Sequence, residues 1–73
     1  MERVFEHDGD LCRIEARLDA GIWHVRAMRG EAILCQAGRV PMTYRRDAEA
    51  LGGLDPLEVM LDAYEARIRS GDL

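Results

Sequence analysis

The fold is decided by the C-terminal stretch at residues 52–71, which reads GGLDPLEVMLDAYEARIRSG. Its start carries the residues that helices favour in their first turn: Asp55 at the N-cap, Pro56 at the first helical position and Glu58 two positions later. An N-cap carboxylate accepts a hydrogen bond from the free backbone N–H groups there, and proline has no N–H to leave unpaired. The pattern therefore predicts a helix that begins at Asp55-Pro56.

The rest of this stretch has the spacing of a helix with one apolar face. Leu54 and Val59 occupy the two positions of a hydrophobic staple, and Gly71 stands where a helix commonly ends. Between these limits the apolar residues recur at steps of three and four, which places them on one side of a helix. They are Leu57, Met60, Leu61, Tyr64 and Ile68. We expect a helix over residues 55–70 that buries this stripe.

Upstream of the helix, residues 2–45 have the pattern of short antiparallel strands. Asp8-Gly9 is a strong signal for a two-residue hairpin loop, and further turns are predicted at residues 19–21 and 29–31. Between the turns apolar residues alternate with polar ones, as in strands that bury one face. The apolar positions are Cys12, Ile14, Ala16 and Leu18 in one strand and Trp23, Val25 and Ala27 in the next.

The segment before the helix predicts one more strand, an extended stretch and a turn. Ala32–Ala37 is the most apolar strand, so we expect it near the centre of the sheet, with Gly38 interrupting it. Val40–Tyr44 alternates again, but Pro41 cannot donate a ladder hydrogen bond and therefore indicates an edge strand or a linker. Residues 47–51 are expected to form a short turn or helix capped by the aspartate at their start.

Strands followed by a helix predict the fold class α+β, in a single domain over residues 1–73. We expect a small antiparallel β-meander of three to five strands, followed by a C-terminal amphipathic helix packed on one sheet face. Domains of this size have little surface to bury and are marginal alone, so a homodimer is expected. No apolar leader and no run of about 20 apolar residues occurs, which predicts a cytoplasmic protein with reduced cysteines and no membrane segment.

The charges are distributed unevenly along the chain. All ten basic residues are arginine, and the formal net charge is −4. Residues 21–46 carry five arginines against one acid, whereas residues 47–73 carry seven acids against two arginines. Guanidinium groups suit carboxylate and phosphate partners. This layout predicts either internal complementarity between sheet and helix or a basic sheet surface that meets an anionic partner.

Residue types that support catalysis or metal binding are few. His7, Cys12, His24 and Cys35 are the types found in zinc sites, but they lack the spacing of one. Strand alternation also places Cys12 and His24 on opposite faces of the sheet. No serine, threonine or cysteine stands in a pattern that indicates an activated nucleophile. We therefore expect no catalytic residue, no metal and no cofactor.

Two groups of charged side chains are the candidate partner-binding residues. The first group lies on the predicted strands and comprises Arg13, Arg17, Arg26 and Arg29. The second group lies on the predicted helix and comprises Glu58, Asp62 and Glu65. Such charges set the orientation and the encounter rate of protein complexes, and exposed apolar residues such as Ile22 and Met28 would supply the buried centre.

The sequence therefore favours a small non-enzymatic binding module that acts through protein–protein contacts. Its acidic helix suits an inhibitor or regulator from a bacterial or phage mobile element, anti-CRISPR-like or antitoxin-like. Strands followed by a helix that begins Gly-Leu-Asp-Pro-Leu-Glu at residues 53–58 are loosely similar to the HicB-type antitoxin arrangement, which implies an antitoxin-like role. Two alternatives stay open: a nucleic-acid-binding regulator that uses the Arg-rich sheet face, and a small enzyme that uses a Cys or a His.

Overall fold

Four strands precede two helices in the computed structural model, which describes all 73 residues. The elements are β1 (Glu2–His7), β2 (Asp10–Asp19), β3 (Ile22–Arg29), β4 (Ala32–Pro41), α1 (Met42–Leu51) and α2 (Pro56–Ser70). The strands follow the order β1-β2-β3-β4 in one sheet, and every pairing is antiparallel. The predicted α+β meander with a C-terminal helix is confirmed, and it has four strands.

Two-residue loops keep successive strands adjacent. Asp8 and Gly9 have φ angles of 51° and 82°, and Ala20 and Gly21 have φ angles of 50° and 78°. Type I′ loops need a positive φ at both positions, and their twist matches that of paired strands. The Asp8-Gly9 hairpin predicted from the sequence is therefore confirmed.

Helix α2 begins and ends where the sequence predicts. The Asp55 side chain accepts a hydrogen bond of 3.0 Å from the backbone N–H of Leu57, and Gly71 closes the helix with a φ of 85°. The predicted stripe is buried apart from Met60, which is half-buried. The predicted staple is wrong, because Leu54 is 83% exposed and cannot pack against the helix.

The core lies between α2 and one face of the sheet. Ten buried apolar side chains form a single cluster. They are Cys12, Ile14, Ala16, Val25, Ala27, Val40, Leu57, Leu61, Tyr64 and Ile68. The alternation predicted for β2 and β3 places these residues correctly, with one exception: Leu18 is 45% exposed. The opposite face of the sheet carries no helix.

Strand β4 differs from its prediction. It lies at the edge of the sheet, and it continues through Gly38 to Pro41. Its pairing with β3 shifts register twice, so that Gln36 and Ala37 together oppose one residue, Arg26. Such bulges are common at sheet edges, and each one resets the alternation of faces.

The second register shift explains why β4 is so apolar. Ala27 pairs with Cys35 while Met28 pairs with Ile33, which leaves Leu34 as an extra residue. Leu34 and Cys35 both pack against the core although they are neighbours in the chain. Consecutive apolar residues at this position therefore reflect a bulge, not the two buried faces of a central strand.

Helix α1 replaces the extended stretch and short turn that were predicted before α2. The strand-rich region ends at Pro41 instead of residue 45, and the helix covers Met42–Leu51 instead of 47–51. Asp47 lies within this helix and does not cap it. The alternation of Val40–Tyr44 is too short to separate a strand from a helix turn. Neither α1 nor α2 is long and apolar enough to span a membrane.

Candidate partner-binding surface

The face of the sheet opposite α2, which we call the open face, carries side chains in rows that cross the strands. Directly paired residues of neighbouring strands lie on the same face, so the register defines each row. One row reads Val4, Arg13, Met28 and Ile33 from β1 to β4. Two rows further along the strands, Arg17, His24 and Arg39 lie side by side.

The first row contributes to an exposed apolar patch. The apolar end of the open face comprises Val4, Leu11, Met28 and Ile33. Val4, Leu11 and Ile33 are 45%, 51% and 50% exposed, and Met28 is half-buried. Met28 pairs directly with Ile33, whereas Arg13 lies between Val4 and Met28 in the row, and Leu11 lies on β2 two residues from Arg13. The exposed apolar side chains therefore surround Arg13 at this end of the open face.

Between the two rows, the charges are neutralised within the sheet. Glu15 accepts a hydrogen bond of 2.8 Å from Nε of Arg26 and one of 3.4 Å from Arg13. The bond from Arg26 holds the pKa of the Glu15 carboxyl below its usual value. Two of the predicted partner-binding arginines, Arg13 and Arg26, are therefore already paired inside the molecule.

The row of Arg17, His24 and Arg39, which we call the basic row, has no such neutralisation. Arg17 pairs in register with His24, and His24 with Arg39, and none of the three makes an ion pair or a side-chain hydrogen bond. Arg17 and Arg39 are both exposed. The basic row is thus the part of the open face whose cations make no ion pair.

The remaining predicted arginine, Arg29, lies elsewhere. It pairs in register with the buried Cys12, so it belongs to the face that α2 covers. Its Nε donates a hydrogen bond of 2.7 Å to Asp10, which raises the pKa of Arg29. The structure therefore brings Arg13, Arg17 and Arg26 together on the open face and separates Arg29 from them.

The three predicted acids of α2 bind a single cation of the sheet. Arg3 of β1 donates hydrogen bonds to Glu58 at 3.2 Å, to Asp62 and to Glu65 at 3.4 Å. The bond to Asp62 is the main cause of the raised pKa of Arg3. These acids lie one helical turn apart on the flank of α2 that borders β1. They link helix to sheet through Arg3, and no local pattern in the sequence indicates Arg3 as their partner.

Arg45 links α1 to α2 and to the sheet. Its Nη2 lies 2.8 Å from Oδ2 of Asp55, and its Nε lies 3.1 Å from Oδ1. Its guanidinium carbon stands 5.2 Å from the centre of the Trp23 ring. The hydrogen bonds from Arg45 hold the pKa of the Asp55 carboxyl below its usual value. One carboxylate therefore caps α2 and anchors α1.

Asp55→Ala is expected to lower the free energy of unfolding by about 1–2 kcal/mol at pH 7, because the N-cap bond and the partner of Arg45 are both lost. Denaturant unfolding followed by circular dichroism measures this. The matched control is Asp47→Ala, which removes an aspartate without a hydrogen bond or ion pair and should change stability by less than about 0.5 kcal/mol.

The cost of Asp55→Ala should depend on pH. A carboxyl whose pKa is lowered by folding stabilises the folded state above its unfolded pKa, and this contribution is lost as the pH falls through the folded pKa. The difference between wild type and variant should therefore shrink below about pH 4. A difference that stayed constant down to pH 2 would contradict this role for Asp55.

The residues considered for zinc or nucleophilic chemistry do not converge. No group of three or more His, Cys, Asp or Glu side chains is placed to hold a metal ion. Cys35 Sγ lies 3.5 Å from the hydroxyl of Tyr64. Hydrogen bonds from the backbone N–H of Ala37 and from Tyr64 lower the pKa of the Cys35 thiol, whereas burial raises the pKa of Tyr64 to about 12. This thiol has polar neighbours but no imidazole base.

Nothing matches this chain among protein-family models, curated proteins or solved structures. The fold and the surface define it as a small α+β protein, a four-stranded meander with one face covered by a helix and one face open.

Proposed function

We propose that this chain is a non-enzymatic binding module that docks a protein partner on the open face of its sheet. One observation carries the proposal: the apolar end and the basic row share the face that no helix covers. Contiguous exposed apolar side chains with a polar border are typical of protein interaction sites. Val4, Leu11 and Ile33 would supply the buried centre of such a contact.

The nucleic-acid alternative has one observation in its favour, the unpaired basic row. Sheets that bind single strands also stack bases on exposed aromatic rings. Phe5 and Trp23 pack against the core, and Tyr64 is buried within it. The open face therefore offers no Phe, Tyr or Trp ring, and the apolar end favours a protein partner.

The proposal includes a role as an inhibitor or regulator from a bacterial or phage mobile element, anti-CRISPR-like or antitoxin-like, that acts in the cytoplasm. A chain of 73 residues acts most simply by covering a surface of its partner. Because this chain has a net charge of −4, it favours a partner that carries a basic patch beside its contact with the open face.

We also propose a homodimer, formed through α1. None of the ten residues of α1 is buried. Tyr44 and Leu51 are seven positions apart, so they lie in one stripe along the same side of α1. They are 60% and 86% exposed. A helix this short gains little stability without packing, and a second copy would cover the stripe by two-fold symmetry. Sedimentation velocity at tens of micromolar tests this: the wild type should be dimeric and Leu51→Glu should be monomeric. A wild type that stays monomeric at this concentration would contradict the dimer.

Ile33→Glu tests the docking surface. The change places a charge in the apolar end and should weaken partner binding about tenfold or more, because an unpaired carboxylate is costly to bury. Tagged wild type and variant are used to capture partners from source cells, and the affinity for the purified partner is then measured by calorimetry.

The matched control is Leu54→Glu, which adds the same charge at a residue that is 83% exposed and lies away from the sheet. It should bind like the wild type. Equal binding by Ile33→Glu and wild type, or equal loss in both variants, would remove the open face as the docking surface.

A further inference from the structure

We infer that the basic row and the depression beside it form an anion subsite that binds a side-chain carboxylate of the protein partner. The inference rests on the proposed function and names the chemistry of the surface that the open face recognises. It predicts a partner whose contact patch joins apolar side chains to an acidic residue.

The subsite is built by the first bulge of β4. A depression of about 210 Å³ opens on the open face, and it lies at the point where two residues of β4 oppose Arg26. Its lining residues are Glu15, Arg17, His24, Val25, Arg26 and Gln36. Bulges bend the strand and redirect side chains, which is why they recur beside functional sites. Here the bulge brings the Gln36 amide next to two basic side chains of the neighbouring strands.

The arginines at this depression differ in whether they have an acidic partner. Arg26 is bound to Glu15 at 2.8 Å, so its charge is compensated within the sheet. Arg17 has no acidic partner, and Arg39 continues the row beyond His24. A guanidinium group presents paired N–H donors that match the two oxygens of a carboxylate. Arg17 is therefore the side chain with both the geometry and the free charge to bind one.

The two arginines of the basic row are not opposite each other. Arg17 and Arg39 stand on either side of His24, about 10 Å apart across two strand spacings, and neither makes an ion pair. Closer to the apolar end of the same face, Glu15 makes ion pairs with Arg13 and Arg26, which shows that the sheet accommodates such acids. Cations left without such an acid are expected where a protein keeps a residue for binding.

The spacing favours a carboxylate over a phosphate. The basic row lies two rows from Val4, Met28 and Ile33, a distance of about 13 Å along the strands. A protein surface carries an acid and apolar side chains at that separation, whereas a nucleic-acid backbone supplies phosphates without an apolar counterpart. The apolar end and the basic row thus fit one protein patch.

Two-dimensional NMR of the folded chain tests the subsite with short peptides of alternating Glu and Leu as the probe. The amide signals of Arg17, His24 and Gln36 should shift and saturate with this peptide, and not with its Gln–Leu counterpart. Arg17→Glu should weaken binding about tenfold or more. Arg46→Glu, which makes the same charge change at an exposed arginine of α1, should bind like the wild type.

The thermal midpoint of the free variant gives a second readout. Arg17→Glu should leave it within about 4 °C of the wild type while it removes the subsite, because Arg17 is exposed and makes no ion pair or side-chain hydrogen bond in the free protein. A purely structural role for Arg17 predicts a lower midpoint, so a variant that both unfolds earlier and loses binding would overturn the inference.

The remaining outcomes are also decisive. No saturable shift with the Glu–Leu peptide, or equal shifts with the Gln–Leu peptide, overturns the subsite. Shifts of the same signals by oligothymidylate alone overturn it in favour of nucleic acid. If a cellular partner is lost in Ile33→Glu but kept in Arg17→Glu, the proposed function stands and the subsite is overturned. If the Glu–Leu peptide binds at the subsite but no partner docks on the open face, the subsite stands and the proposed function is overturned.

Discussion

Leu61→Ala is expected to lower the free energy of unfolding by about 2–5 kcal/mol. Leu61 is 2% exposed and packs in a core of only ten buried apolar residues. Truncation removes its transfer energy and leaves a cavity that the surrounding side chains fill only in part. Because small domains have little stability in reserve, the variant should be partly unfolded at room temperature, which urea titration followed by circular dichroism measures.

The same truncation at Leu54 is the control. Leu54 is 83% exposed, so Leu54→Ala removes the same atoms from a side chain that buries almost nothing. We expect its stability to stay within about 0.5 kcal/mol of the wild type. Similar losses at the two positions would contradict the placement of α2 on the sheet.

Helix α2 was predictable because its signals are local. The Asp55 cap, Pro56 and the stripe that contains Leu57 and Leu61 all lie within one stretch of chain, and each depends only on helical geometry. The same holds for the hairpin at Asp8-Gly9, where the two residues themselves determine the loop. These elements needed no knowledge of the rest of the fold.

Strand β4 and helix α1 were not predictable on those grounds. The two register shifts of β4 depend on its pairing with β3 and on the packing of Leu34 and Cys35 under α2. The apolar run in β4 predicted a central strand, whereas the bulges that place consecutive apolar residues against the core are not visible in the sequence. For α1, the residues 42–44 fit either periodicity, and the helix is held by Arg45, which contacts residues distant in the chain.

The candidate surface was also predictable only in part. Alternation alone predicts that Arg13, Arg17 and Arg26 share a face, and the register agrees. It does not reveal which of them are neutralised, since Glu15 could pair with any neighbour. Arg39 enters the basic row only through the register of β4 beyond its bulges. Which charges pair depends on the tertiary fold. For the same reason the sequence does not predict that Glu58, Asp62 and Glu65 pair with Arg3.

Gly38→Ala is expected to lower the free energy of unfolding by about 1–3 kcal/mol, the cost of overpacking a close contact. A Cβ atom at this position would stand 2.7 Å from the Tyr64 hydroxyl, 2.9 Å from Met60 Sδ and 3.1 Å from Tyr64 Cε2. Met60 is flexible and moves aside at little cost, but the Tyr64 ring is stiff and only 8% exposed. Relief therefore requires α2 to move away from β4. The control is Gly53→Ala, where the nearest atom is Ala48 O at 3.8 Å and stability should be unchanged or slightly raised.

A double-mutant cycle tests whether Tyr64 causes this loss. Tyr64→Phe deletes the oxygen that lies closest to the new methyl group, although it also removes the hydrogen bond to Cys35. In the wild-type background it should cost about 1 kcal/mol, the typical value of one buried hydrogen bond. In the Gly38→Ala background the same change should cost less or restore stability, because the clash with oxygen is gone. Strictly additive losses would show that contact with Tyr64 does not cause the loss of stability in Gly38→Ala.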